Sequence, residues 1–188
     1  MNIPVFLDLE ASSYEEDAFP LSIAWSLPDG RIKNVLVMPD ETWNPRDNSS
    51  MPYDLQHYFD QGASVADIAR EMNQDLDGLT IYIDGLDPDE EWLEKLFEAA
   101  ADEPTFEIAR IDDLFIGLDY GQLIETRDDT LRRYELDGQT PEGAVLGLLY
   151  MAQQLLDLDI ENTDTEDEEN DDIETNDSEE DPSDNNYW

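Results

Sequence analysis

The 188-residue sequence contains no cysteine, one histidine (His57) and only nine lysine and arginine side chains. Without cysteine there is no disulfide framework, no thiolate zinc site and no cysteine nucleophile. Long apolar runs are missing too, and none approaches the ~18 residues a membrane span needs. The opening Met1-Asn2-Ile3-Pro4 has neither the basic nor the apolar region of a secretory signal. These absences predict a soluble, cytoplasmic protein with no membrane partner. The scarcity of positive charge also opposes non-specific attachment to phosphate backbones, which relies on Lys and Arg.

Negative charge is abundant. Fifty acidic side chains give a formal net charge of -41. Sixteen of them lie between Asp157 and Trp188, where there is no base, and the rest of the chain is still at -25. Composition shifts near Leu158 to Asp, Glu, Asn, Thr and Ser. Like charges at this density repel and leave no core to form. The expected organisation is one domain over 1–157 followed by a disordered acidic tail over 158–188. The tail reads either as a solubilising segment or as a lure for a basic partner, anchored by Tyr187-Trp188.

The patterning ahead of the tail is mixed α and β. Val5 to Glu10 alternates apolar and acidic residues and predicts a strand. Leu21 to Leu27 and Ile32 to Met38 flank the turn signal Pro28-Asp29-Gly30 and predict an antiparallel hairpin. A loop with a short helix is expected over 39–62. Ser64 caps a helix carrying Val65, Ile68, Ala69, Met72 and Leu76, which Asp77-Gly78 ends. Leu79 to Ile83 is a strand, Pro88 opens a helix bearing Trp92, Leu93, Leu96 and Phe97, and Phe106 to Ala109 is another strand. Residues 111–136 are helical in parts, and Thr140-Pro141 begins a last helix. This order predicts an α/β fold, a mixed central sheet flanked by helices. Trp25 and Trp92 are expected in the core. Trp43 either covers the core edge or offers a stacking surface for a base.

Asp8 and Glu10 stand two apart on a strand, so both side chains leave on one face. Burying two carboxylates together is costly unless a cation neutralises them, and hard oxygen donors suit Mg²⁺ or Mn²⁺. The alternative places both at an exposed strand end, wet and without a ligand.

The stretch Phe6-Leu7-Asp8-Leu9-Glu10-Ala11-Ser12-Ser13, followed by Phe19-Pro20-Leu21-Ser22-Ile23-Ala24-Trp25, resembles the opening of the DnaQ-like, or DEDD, 3'-5' exonucleases of RNase H-like fold. Leu76-Asp77-Gly78, Tyr82-Ile83-Asp84-Gly85 and Asp89-Glu90-Glu91-Trp92-Leu93 extend the resemblance, which covers about residues 3–153. It implies four carboxylates holding two metal ions, Mg²⁺ or Mn²⁺, that act on the 3' end of a nucleic acid. Asp8 and Glu10 match the first motif. Asp89, at its spacing from Trp92-Leu93, matches the second, with Asp84 as competitor and Asp87 between them. Asp89 also reads as an acidic helix start that complements the helix dipole.

The third motif departs from the family pattern. Counting back from Ala144 puts Gly143 where the family has an Asp and Gly138 where it has a His. Glu142 is the candidate substitute ligand, and Tyr134 is the nearest aromatic. Arg127, Arg132 and Arg133 are candidate contacts for the nucleic-acid backbone, Arg132-Arg133 forming the one basic cluster, or ordinary surface partners of Asp128, Asp129 and Glu135. The resemblance therefore implies a metal-dependent exonuclease with reduced or lost activity, with Asp8, Glu10, Asp89 and Glu142 as its catalytic set. It also allows a homodimer. The competing expectation is an inactive acidic relative that binds a basic protein as a nucleic-acid mimic or adaptor.

Overall fold

A computed structural model describes residues 3–43 and 53–156. The expected tail, 158–188, lies outside the described residues, as does most of the Asn/Pro-rich stretch after Trp43.

The sequence alternation builds a five-stranded mixed sheet. Its strands are β1 (Val5–Ala11), β2 (Pro20–Ser26), β3 (Ile32–Leu36), β4 (Thr80–Ile83) and β5 (Glu107–Arg110), in the spatial order β3-β2-β1-β4-β5. The hairpin signal is realised: β2 pairs antiparallel with both β1 and β3. β4 and β5 continue the sheet in parallel, as connections through helices require. The helices are α1 (Leu55–Gln61), α2 (Val65–Leu76), α3 (Asp89–Ala100), α4 (Ile111–Leu114), α5 (Tyr120–Arg133) and α6 (Pro141–Leu156). Ser64 caps α2 by accepting the Asp67 N–H, and Asp119 forms a capping box with Gln122 at the start of α5.

The period of two along β1 sorts its side chains between two cores. Val5, Leu7 and Leu9 face α2 and α3, packed with Ile23, Trp25, Leu93 and Phe97. Phe6 faces the opposite way, toward α5 and α6, among Leu123, Val145, Leu148 and Met151. Asp8 and Glu10 share the parity of Phe6, so they leave the sheet on the α5/α6 face. Trp25 and Trp92 are core residues as expected, and Trp43 stacks on Phe19 at 5.7 Å between ring centroids, covering the core edge. Inside the sheet, the Phe6 N–H donates to Ser26 Oγ at 2.9 Å, a buried bond across the β1–β2 ladder. Among the described residues no helix is long and apolar enough to cross a membrane.

Candidate metal centre

Three elements end at one point. β1 supplies Asp8, β4 runs straight into Asp84, and α3 begins at Asp89. Gly85 turns the connecting loop with a φ of +76°, which favours glycine, and both the end of β4 and the start of α3 lie against β1. One carboxylate oxygen from each of Asp8, Asp84 and Asp89 lies within 4.8 Å of the others. All three are buried, Asp89 completely.

The hydrogen bonds of the triad are incomplete. Asp89 Oδ1 accepts the Leu9 N–H at 3.0 Å, while Asp89 Oδ2 is buried without a partner. Asp84 Oδ1 accepts the Leu86 N–H at 2.9 Å. Asp84 Oδ2 stands 2.8 Å from Arg127 Nε, an ion pair by distance. The N–H is not directed at the oxygen, so both atoms lack a proper hydrogen bond. Burial raises all three carboxyls, Asp8 and Asp89 well above the usual carboxylate range. For Asp8 the neighbouring Asp89 and Asp84 charges add to burial. For Asp89 the Leu9 N–H, and for Asp84 the Arg127 guanidinium, oppose it. Groups in this state favour either a proton or a cation.

A cleft of about 590 Å³ opens in front of Asp8, walled by Glu10, Tyr14, Asp87, Arg127 and Arg132 among others. Asp84 and Asp89 lie behind Asp8. The donor set is all hard oxygen, with two unpartnered buried oxygens, and it fits a Mg²⁺ or Mn²⁺ ion.

The structure places four of the expected site residues outside the triad. Glu10 lies in the cleft wall but outside the triad, and Asp84 takes its place beside Asp8 and Asp89. Glu10 is exposed, and its buried cross-strand partner Ser22 donates its hydroxyl to Glu10 Oε2 at 3.0 Å. Glu142 does not line the cleft. It accepts from Asn34 Nδ2 at 3.2 Å, over β3 and away from the cleft. Arg132 reaches the cleft wall but is held by Asp129 at 2.8 Å. Arg133 leaves the helix elsewhere, toward Gln154, and lines a separate small cavity.

The position of the third-motif Asp is closed. A Cβ on Gly143 would sit 2.1 Å from the Asp137 carbonyl oxygen. That oxygen belongs to the turn before α6, where it accepts the Thr140 hydroxyl at 2.9 Å. The chain now occupies the space a side chain at 143 would need. His57 is on α1 and exposed against Tyr58, and no histidine lines the cleft. Arg127, expected as a surface contact or a partner of Asp128, is instead buried within α5, pairs with Asp84 as well as Asp128, and closes the triad from the helical side.

No family model and no curated protein matches the chain. A chain of a solved yeast structure, described as the NOT1 MIF4G domain co-crystallized with CAF1, is similar to it with a TM-score of 0.59 at 10% identity, over 84% of this chain and 80% of that chain. At that identity the likeness is one of fold alone.

Proposed function

We propose that this is an exonuclease-like protein of RNase H-like fold that binds one divalent cation, Mg²⁺ or Mn²⁺, through Asp8, Asp84 and Asp89. It hydrolyses 3' phosphodiester ends slowly. The observation that carries this reading is the unpartnered, fully buried Asp89 Oδ2 facing two further carboxylates. A buried site retains three such groups at a stability cost of several kcal/mol unless a cation or protons neutralise them. The mixed sheet with helices on both faces supports the RNase H-like part of the reading.

When bound, the ion supplies Lewis-acid stabilisation of a phosphoryl oxygen. The chain's own residues do the rest. Asp8 presents the triad to the cleft, Asp89 fixes the β1 backbone through the Leu9 N–H, and Arg132 is the exposed cation at the cleft mouth. No imidazole stands there to accept the proton of an attacking water, which removes about 10²–10⁴-fold of rate. The test is release of mononucleotides from 3'-labelled single-stranded DNA and RNA with Mn²⁺. Slow release that Asp8→Asn abolishes is expected. No release, or equal release by the variant, overturns the hydrolase reading.

A second reading, an adaptor for a basic protein, is favoured by a separate groove beside α3. Its floor is Leu93, Phe97 and Ile108, and Glu90, Glu94 and Glu98 run along its rim at helical spacing. No Lys, Arg or His lines it. A basic segment complements its charge. Binding of a Lys/Leu peptide that Glu94→Lys weakens would support this reading, and binding indifferent to that change would remove it.

A further inference from the structure

We infer that Arg127 is a built-in cation that takes the place of a second metal ion and limits the cleft to one. This inference rests on the cation-binding reading of the triad given above.

Arginine is rarely buried unless paired. Arg127 is only 7% exposed, although it lies in the middle of a solvent-facing helix. Its guanidinium cannot give up its proton, so it remains a fixed positive charge. Nε stands 2.8 Å from Asp84 Oδ2, and Nη1 donates to Asp128 Oδ1 at 3.2 Å. The same charge acts favourably on Asp8 and Asp89, which places it against the whole triad.

The charges then balance in a specific way. Four carboxylates are neutralised by two divalent ions, the arrangement the exonuclease resemblance implies. Here the fourth position is closed by the Asp137 carbonyl against Gly143. Three carboxylates and one guanidinium leave two negative charges, which one divalent ion neutralises. The closed fourth position and the buried arginine are complementary: three carboxylates without the guanidinium, or four with it, would leave the buried site with an unbalanced charge. Arg127 is in this sense a positioning residue, setting how many ions the cleft accepts and where.

The test is Mn²⁺ binding to the full chain, read by calorimetry and by electron paramagnetic resonance. Asp89→Asn provides the baseline for ions held by the acidic surface. The wild-type protein is expected to show one ion above that baseline, with a mononuclear spectrum. Arg127→Met is expected to bind the first ion at least about tenfold more tightly, because a like charge has been removed from a buried site. It is also expected to take up a second ion, with the spectrum of a spin-coupled pair. Arg127→Lys, which keeps the charge, is expected to remain mononuclear. If Arg127→Met does not fold without metal, Arg127→Met/Asp84→Asn relieves the unpaired carboxylate and is expected to return to one ion. An Arg127→Met protein that binds one ion with unchanged or weaker affinity overturns the inference, as does an Arg127→Lys protein with a coupled pair. A wild-type protein with no ion above the baseline overturns the triad reading itself, a distinguishable failure.

Discussion

Replacing Gly143 with alanine tests whether the third-motif position is closed. Glycine to alanine within a helix ordinarily stabilises by about 1 kcal/mol. At 143 the new Cβ would lie 2.1 Å from the Asp137 carbonyl oxygen and 2.9 Å from its carbon. The carbonyl must retreat by more than about 1 Å to reach van der Waals contact. It is not free to do so. Asp137 O accepts the Thr140 N–H at 3.2 Å and the Thr140 hydroxyl at 2.9 Å, and Thr140 Oγ1 accepts the Gly143 N–H. Disturbing this helix start costs about 1 kcal/mol, and overpacking against backbone costs about 1–3 kcal/mol more. Set against the helical gain, the expected net loss is roughly 1–3 kcal/mol. For a chain of this size that lowers Tm by roughly 3–10 °C. Gly147→Ala is the control. Its Cβ would meet the Leu131 side chain at 2.6 Å, and that side chain can turn aside, so a smaller loss is expected. Thermal unfolding followed by circular dichroism reads both. A Gly143→Ala protein that melts higher than wild type would refute the reasoning and reopen position 143 to a carboxylate.

Three further outcomes follow from the same contacts. Asp8→Asn is expected to abolish cation binding at the triad yet raise the Tm of the metal-free protein at neutral pH, because it removes a carboxyl that folding must protonate; a lower Tm would contradict this. The carboxyls of Asp8 and Asp89 are raised in the folded state, so their contribution to stability is full below the unfolded value near 3.8 and is lost as pH rises toward the folded values. The Tm advantage of an Asp8→Asn/Asp89→Asn variant over the metal-free wild type should therefore grow between pH 5 and 9, on the order of those values, and a constant difference would count against the raised carboxyls. Ser26→Ala leaves the buried Phe6 N–H without its acceptor and should cost about 1–3 kcal/mol in denaturant unfolding, where a change under half of that would show the bond to be dispensable.

Much of the fold was legible because β1, the β2–β3 hairpin and the capped helices each carry local signals that agree with the tertiary structure. Asp8 was readable from the alternation of β1, and Asp89 from its place at the first turn of α3. Asp84 read as a rival of Asp89 because five residues separate them. Only the turn at Gly85 makes them partners. Glu10 stands in the cleft wall outside the triad, opposite Ser22, a register that alternation alone does not give. Two other placements follow from helix geometry. Arg132 and Arg133 lie about 100° apart on a helix, so both could not face one cleft, and the same geometry turns Glu142 away from whatever Gly143 faces. The burial of Arg127 was not legible, since α5 has weak boundaries in the sequence and nothing local distinguishes a buried arginine from a solvated one.

The cation-binding triad is tested most directly by crystals of the full chain grown with Mn²⁺ and measured at the manganese absorption edge. The account predicts one anomalous peak, bounded by oxygens of Asp8, Asp84 and Asp89 at about 2.0–2.2 Å. No peak at that position in crystals that bind manganese elsewhere, or a pair of peaks in the wild-type cleft, would contradict it.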